Sequence, residues 1–576
     1  MRYLFLILLC ALLQAETIFL DGRFDEWQDL SPAYSDPSGD HLGEIDLLTL
    51  RLAADSNRFF MDLEVADDLL LQDENTLTLL LDADADPSTG TLLEGMGVEL
   101  RWVFGERSGN VYLAGSSSGV SQAELGIITP PTITGTRFEI ALNRRLPLPG
   151  GCWVSIEDSI GIVLQANVDG SGDRLPDGDE GLYLPVSHEA ASPWIPVSPA
   201  RIDVGDLRLV SFNVLFNGIG DDSRRDAFVR ILGRLNADII AFQEVGGMSN
   251  EEIGAFLDAF LPLPGPLAWS ISAAEGDVVT ASRYPILNSW VIWDYNGSRI
   301  TADLILVSNE ERIMVINSHW SCCTANALRQ AQADATIAFI RDAQTPGDDL
   351  DLVNGTPIIV TGDLNLVGDA QQLETLLTGD IQDEASYGSD HSPDWDGSNL
   401  TDLFAMHLSD RVAYTWRDAS SSFSPGKLDY VVYTDSYLQV RKAFILNSAT
   451  LNAEQLAFLN LQSDDSETCS DHLPVVVDFA NLVNDVDFND QVPDVNFKLY
   501  PNPTNQRLTF ILNEQIASVT KVSLFDLSGR EVLTTKHAVT GGAQHIDMTS
   551  FDAGIYLLRV ETAEGRQLIR KLTYLP

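Results

Sequence analysis

Leu207-Arg-Leu-Val-Ser-Phe-Asn213, Arg224 to Leu235 and Ile239-Ile-Ala-Phe-Gln-Glu244 form the stretch on which the fold turns. The first run reads as a strand. The second carries apolar residues at helical spacing, and the third is a strand again. The pattern recurs with Arg312-Ile-Met-Val-Ile-Asn-Ser-His319, a helix from Ala325 to Arg341, and Pro357-Ile-Ile-Val-Thr-Gly-Asp363. Strands interleaved with helices predict a layered α/β domain over residues 206–480. Its polar residues gather where the strands end, the place α/β folds reserve for ligands. They are Asn213, Gln243-Glu244, His319, Gly362-Asp-Leu-Asn365, Lys427-Leu-Asp-Tyr430 and Ser470-Asp-His-Leu-Pro474. One Asp after a strand is usually a turn residue. Six such spots in one domain, holding two of the chain's eight histidines, point to chemistry.

Outward from this domain the pattern changes. Residues 16–191 show short apolar runs, such as Phe59-Phe-Met-Asp-Leu-Glu-Val65 and Val98-Glu-Leu-Arg-Trp-Val-Phe104, broken by Gly, Asp, Asn and Pro. This predicts an all-β sandwich. Asp82, Asp84 and Asp86 have a spacing that suits calcium or a solvated acidic turn. Residues 192–205 contain Pro193, Pro196 and Pro199 and read as a linker. Residues 481–496 are polar and acidic and read as a second one. Residues 497–576 predict a small β-sandwich. At the start, Met1-Arg2, an apolar run to Leu13 and a small residue at Ala15 read as a signal peptide over residues 1–15. That run is too short to span a bilayer. At 576 residues the chain exceeds one ordinary core, which agrees with several units.

The formal net charge is −49. Such acidity argues against tight, sequence-independent binding of duplex DNA. It leaves catalysis on phosphate esters open, because a bound cation reverses the field within one cleft. Beyond Cys10 the cysteines are Cys152, Cys322, Cys323 and Cys469. If His319 and His472 share a site, a bridge from Cys322 or Cys323 to Cys469 would staple it.

Taken together and in order, the central motifs resemble the endonuclease/exonuclease/phosphatase superfamily, whose members include deoxyribonuclease I, abasic-site endonucleases, neutral sphingomyelinases and inositol phosphate phosphatases. Ser282-Arg-Tyr-Pro-Ile286 and Tyr414-Thr-Trp416 fit the same family. The resemblance implies a four-layer, deoxyribonuclease I-like α/β sandwich. It also implies divalent-metal-dependent phosphoester hydrolysis. By family position Glu244, Asn213 and Asp471 would hold Mg²⁺ or Mn²⁺, with Ca²⁺ an alternative. Asp363 would orient or deprotonate the attacking water, and Asn365 would donate to phosphoryl oxygens. His472 would pair with Asp429. His319 would contact the phosphate or assist proton transfer, or else serve structurally beside Cys322-Cys323.

Residues 16–191, through Ile18-Phe-Leu-Asp-Gly-Arg-Phe-Asp-Glu-Trp27 and Leu81-Asp-Ala-Asp-Ala-Asp-Pro-Ser-Thr-Gly90, resemble carbohydrate-binding modules of the family-nine or DOMON-like type. That implies tethering to polysaccharide, with a plain spacer as the alternative. Residues 497–576, with Leu499-Tyr-Pro-Asn-Pro503 and Ala553-Gly-Ile-Tyr-Leu-Leu-Arg-Val560, resemble the type A sorting domain of type IX secretion. That implies export through the outer membrane of a Gram-negative bacterium by the secretion machinery, to the exterior or the cell surface.

Some positions depart from the central family. Lys427 stands where Arg or Ile is common. Val245-Gly-Gly247 follows Glu244 where deoxyribonuclease I has an Arg for the minor groove, which weakens a duplex-specific reading. His319-Trp-Ser-Cys-Cys323 is not the sphingomyelinase continuation, and no membrane-docking hairpin is evident. Arg329 either faces the phosphate or covers a solvated face. The expected activity is therefore a secreted nuclease acting on extracellular nucleic acid. The alternatives are a phosphoesterase on lipid head groups or small esters, and a non-enzymatic glycan-binding protein.

Overall fold

The computed structural model describes residues 18–480, apart from 41–42, 44, 74, 157–158, 168–171, 179–180, 186–196, 266, 275, 295–297, 309–310 and 348–349. In the tail it describes 497–500, 507–512, 519–526, 531–535, 542–551, 554–562 and 567–574. The expected signal peptide, the linker at 481–496 and the first part of the linker at 192–205 lie outside these residues. The chain divides into two units, Met1–Asn484 and Asp485–Pro576.

In the first unit, β1 (Leu207–Asn213) and β2 (Ile239–Gln243) run parallel, with Asn213 opposite Gln243. β3 (Val278–Ser282) is antiparallel to β2, and β10 (Val475–Phe479) is antiparallel to β1. β9 (Val440–Ile445) and the short Ser270–Ile271 strand form the edges. The second sheet runs in the order β4 (Ile286–Asp294), β5 (Ser298–Leu306), β6 (Arg312–His319), β7 (Ile358–Asp363), β8 (Asp429–Tyr433), then Thr401–Asp402. Of these neighbours only β6 and β7 are parallel.

The strands β1, β2, β7, β8 and β10 are buried along their whole length. Near-continuous apolar runs of this kind belong to sheets covered on both faces. Leu207, Leu209 and Val477 of the first sheet pack on Ile313, Val315, Ile359 and Val431 of the second. Helices α1 (Arg225–Leu235) and α2 (Asn250–Phe260) cover the other face of the first sheet through Phe228, Ile231 and Leu257. Helix α3 (Asn326–Gln344) covers the second through Ala333, Ile337 and Ile340. The layers are helix, sheet, sheet, helix. On the helix-covered face of the first sheet Arg208 is buried in a bidentate pair with Asp478, at 2.6 and 2.7 Å, and donates to Leu235 O at the end of α1, which meets the requirement that a buried charge be matched.

Residues 18–185 form a four-stranded and a seven-stranded antiparallel sheet, and one apolar cluster draws on both. This region packs on the central layers. Arg58 forms a bidentate pair with Asp410, Leu20 bridges to Val412, and Thr132 Oγ1 donates to Leu366 O at 2.7 Å. The expected linker is tied down from Val197 onward. Val197 N donates to Leu408 O, and Arg201 pairs with Asp238 at 2.8 Å. The second unit has a three-stranded and a four-stranded sheet around Leu524, Leu558 and Leu572.

His407 is buried, donates through Nε2 to Tyr414 O at 2.8 Å and meets the Tyr414 ring edge-on. Burial pushes its pKa down to about 4. It is therefore neutral when folded, whereas in the unfolded chain it titrates near an ordinary value of ~6.5. Its contribution to stability is whole above that value and is lost as the pH falls toward 4. Urea midpoints measured across that interval are expected to fall less for His407→Phe than for the parent.

Candidate active site

Two parallel strands of the second sheet end in functional groups, and the antiparallel strand beside them begins with a third. His319 lies opposite Asp363 across the parallel β6–β7 pair, and Asp363 lies opposite Asp429 across β7–β8. Gly362 permits this closeness. At φ +135° it avoids the side-chain strain of that conformation, and a Cβ there would sit 1.9 Å from Ser318 O. From the first sheet come Asn213 at the end of β1 and Glu244 just beyond β2, with His472 shortly before β10. Glu244 adopts a left-handed conformation, φ 62°, an uncommon geometry for a residue with a side chain and one that clusters at functional sites.

These groups meet at Asp363, which is buried. Its Oδ2 accepts from Asn213 Nδ2 at 3.1 Å and lies 3.6 Å from His319 Nε2 and 3.7 Å from His472 Nε2. Its Oδ1 accepts from the Asn365 amide at 3.0 Å. Burial drives its pKa upward, and the two imidazoles only partly oppose this. Asn213 Nδ2 also donates to Glu244 Oε1 at 3.1 Å, and Glu244 Oε2 accepts from Phe216 N at 2.8 Å.

Both imidazoles have a carboxylate behind them. His472 Nδ1 bonds Asp429 Oδ2 at 2.8 Å. Burial disfavours its charge, yet Asp429 and Asp363 outweigh that and lift its pKa to about 10. His319 Nδ1 bonds Asp277. Burial lowers its pKa, but Asp277 and Asp363 raise it further, so the net direction is up. Carboxylate partners of this kind fix the tautomer and leave Nε2 of each ring toward Asp363.

Residues 210–472 match the model of the Endonuclease/Exonuclease/phosphatase family. The central domain belongs to this family. The protein is accordingly a phosphoesterase, one of a class of metal-dependent hydrolases. Residues 498–574 match the secretion system C-terminal sorting domain, so the phosphoesterase is exported by type IX secretion through the outer membrane to the exterior or the cell surface. Among the described residues no helix is long and apolar enough to cross a membrane.

Similar solved structures include an endonuclease/exonuclease/phosphatase of Beutenbergia cavernae, at 15% identity over 64% of this chain and 99% of that one, TM-score 0.28. A Staphylococcus aureus beta toxin variant with bound magnesium ions is 19% identical over 47% and 99%, TM-score 0.29. The human nocturnin catalytic domain with bound sulfate is 17% identical over 50% and 96%, TM-score 0.30. No curated protein matches the phosphoesterase.

The expected site residues gather, with differences in detail. One oxygen or nitrogen from each of Glu244, His319 and Asp363 lies within 4.8 Å of the others, close enough to grip one cation. Two hard carboxylates in that set suit Mg²⁺ or Mn²⁺. Asn213 is beside them, but it turns its amide nitrogen to the two carboxylates, and its oxygen accepts from Leu215 N at 3.0 Å. Asp471 faces Trp416, whose Nε1 donates to its Oδ2 at 2.9 Å. Asn365 Nδ2 donates to Trp320 O at 3.1 Å, so its side chain braces the loop after β6.

Lys427 pairs with Asp402 at 2.5 Å and lies over the Tyr430 ring. Arg329 neither faces a phosphate nor covers a solvated surface. It is fully buried, and its guanidinium donates to Ser321 O, Cys323 O and Gln372 Oε1. It clamps the loop after His319 through Ser321 O and Cys323 O, while Asn326 and Gln372 take the rest of its fork of donors. The bridge to Cys469 is not formed. Cys469 is buried against the α1 layer, Cys322 and Cys323 are exposed, and Cys322 and Cys323 Sγ lie 2.7 Å from each other.

Asp277 and Arg299 were not evident from the sequence pattern. Asp277 precedes β3, which is antiparallel to β2 with Val278 opposite Gln243, so the beginning of β3 lies at the active end of the sheet. Arg299 lies 3.9 Å from Asp277 and 3.4 Å from His319 Nδ1. A carboxylate before a strand was the available signal. Asp277→Asn is expected to lower kcat/KM about 10–100-fold, the usual cost of removing an outer partner of a site histidine. Steady-state kinetics with circular dichroism would check it, and unchanged kinetics would show that His319 needs no anionic partner.

Proposed function

We propose that this phosphoesterase is a nuclease that hydrolyses phosphodiester bonds of extracellular nucleic acid. One observation carries the proposal: Asp363 lies between two carboxylate-backed imidazoles and an amide, next to Glu244. The Glu244 carboxylate, a hard oxygen ligand, fits Mg²⁺ or Mn²⁺ and would hold it, with His319 and Asp363 beside it for proton transfer. When bound, the cation would neutralise phosphate charge and assist departure of the leaving oxygen.

The remaining work falls to the side chains. Asp363, raised in pKa by burial, orients the attacking water and takes its proton. Its 3.6 and 3.7 Å separations from the imidazoles exceed a hydrogen bond and suit a bridging oxygen. His472 stays protonated at neutral pH because Asp429 and Asp363 hold the charge, so it donates an N–H to oxygen gaining negative charge. His319, backed by Asp277, supplies a second such donor. Asn213 holds Glu244 and Asp363 in register.

Nucleic acid is favoured over lipid by Phe216. Its backbone amide bonds Glu244, and the residue is 80% exposed. A single aromatic beside a phosphoester site suits the face of a base. Residues 16–191 are proposed to tether the enzyme to polysaccharide, which retention of the purified protein on insoluble glycans would test.

Purified protein with Mg²⁺ or Mn²⁺ is expected to cut plasmid DNA or RNA, and chelation is expected to stop it. Asp363→Asn should reduce turnover by about 10²–10⁴. Phe216→Ala should raise KM on nucleic acid about tenfold, from loss of one stacking contact, and leave a small aryl phosphodiester unaffected. Intact nucleic acid alongside hydrolysed sphingomyelin vesicles would move the reading to the lipid branch.

A further inference from the structure

The seven-stranded sheet of residues 18–185 holds a second cluster of carboxylates, remote in sequence from the active site. The strand Thr78–Asp82 is buried throughout and leads into Ala83-Asp-Ala-Asp-Pro-Ser-Thr-Gly90. The hairpin Thr91–Leu93 and Met96–Val98 then returns the chain to Glu99. Asp82 and Glu99 are both wholly inaccessible to solvent. One oxygen from each of Asp82, Asp84 and Glu99 lies within 4.8 Å of the others.

The hydrogen bonds around the cluster do not satisfy it. Asp82 Oδ2 accepts from Gly97 N at 3.1 Å and Tyr183 Oη at 3.2 Å, but its buried Oδ1 has no partner. Glu99 Oε2 accepts from Ala83 N at 2.9 Å. The Thr89 hydroxyl sits 2.8 Å from Glu99 Oε1, 2.9 and 3.2 Å from the two Asp84 oxygens, and 2.9 Å from Asp86 O. A hydroxyl carries one proton and can donate to only one of these acceptors. Asp84 Oδ1 also accepts from Asp86 N at 3.1 Å and the Asp86 carbonyl from Thr89 N at 3.0 Å, so the buried oxygen left without a donor is Asp82 Oδ1, a costly arrangement that a cation would relieve. Burial disfavours the charge of the Glu99 carboxylate, and the carboxylates of Asp84 and Asp82 beside it repel it.

The backbone is closed tightly around the cluster. A Cβ on Gly90 would lie 2.3 Å from Val98 O, and one on Gly97 would lie 2.3 Å from Asp86 O. The Asp86 carboxylate is taken up by Ser88, at 2.9 Å to its amide and 2.7 Å to its hydroxyl. Asp86, the third carboxylate of the sequence spacing, is thus engaged by Ser88 and is not grouped with Asp82 and Asp84. The fold offers the Asp86 carbonyl and brings in Glu99.

We propose that Asp82, Asp84 and Glu99 form a calcium site, with Thr89 Oγ1 and the Asp86 carbonyl available to complete it. Ca²⁺ takes six to eight oxygens in flexible geometry, whereas Mg²⁺ demands a near-ideal octahedron, and the set holds no nitrogen or sulfur for zinc. Export delivers the protein to the exterior, where sites with Kd of about 10⁻⁴–10⁻³ M are useful. The ion ties the loop to the sheet and cancels the buried repulsion.

The test uses the whole chain with Tb³⁺ as a luminescent substitute for Ca²⁺. Tyr183, bonded to Asp82, is positioned to sensitise emission. Emission is expected, displaced by Ca²⁺ more readily than by Mg²⁺, and kept in Glu244→Gln, which disables the catalytic cluster. Glu99→Gln and Asp82→Asn should lose it. Tyr183→Phe should lose most of the emission but keep the rise in Tm that Ca²⁺ gives the parent. Without Ca²⁺, Glu99→Gln should unfold at a temperature no lower than the parent, because a repelling charge is gone. The site is refuted if folded Glu99→Gln retains the parent's Ca²⁺-displaceable emission. It is equally refuted if the parent's Tm is unmoved by Ca²⁺ up to about 10 mM, tenfold above the upper end of that range. Should Asp82→Asn fail to fold, Glu99→Gln and Tyr183→Phe still decide the matter.

Discussion

The candidate active site depends on a hydrogen bond between two sheets. Asn213 closes the end of β1 and donates to Asp363 at the end of β7, while holding Glu244 from β2 with the same nitrogen. Carboxylates so close repel one another. They stay together because an amide and two imidazoles stand between them and because the apolar layer beneath, Leu209, Val315, Ile359 and Val431, fixes the sheets face to face. Just below, Gln243 donates to Asn317 at 2.8 Å and makes a second polar link between the sheets. Polar cross-links of this kind are costly unless satisfied, and a satisfied one fixes register.

Charge is handled differently at the two acidic clusters. At the active site each acidic group has a basic or amide neighbour, and the two histidines are raised in pKa by the carboxylates that orient them. At Asp82, Asp84 and Glu99 the hydrogen-bond donors are neutral amides and hydroxyls, and among the described residues no basic side chain bonds the three carboxylates. The first arrangement poises protons for transfer. The second calls for a cation with no proton to move. An overall charge of −49 hides both, because local geometry decides what each carboxylate does.

The amino-terminal region touches the catalytic layers near the chemistry. Thr132 and Thr134 bond Leu366 O and Gly368 O, in the loop that follows Asp363-Leu-Asn365. The region expected to serve as a tether or a spacer therefore also braces, through the segment before Gly135, the loop behind the site.

Much of this was legible in the sequence. Apolar periodicity marked β1, α1, β2, β6, α3 and β7 within a few residues of their ends. Six polar motifs, four where strands end and two where β8 and β10 begin, named seven of the groups that converge, among them Glu244, Asp363 and His472. The order of motifs is enough for this, because strand and helix periods are local properties of the chain. Antiparallel pairing is not local. It brought Asp277 to His319 from the beginning of a strand, where no end-of-strand pattern points. Packing decided that Arg329 clamps a loop, that Asp471 turns to Trp416 and that Cys469 is sealed away from Cys322 and Cys323. It also substituted Glu99 for Asp86 in the acidic loop. Sequence spacing fixes which side chains share a strand or a turn, whereas contacts between distant segments are set by how whole sheets bury their faces.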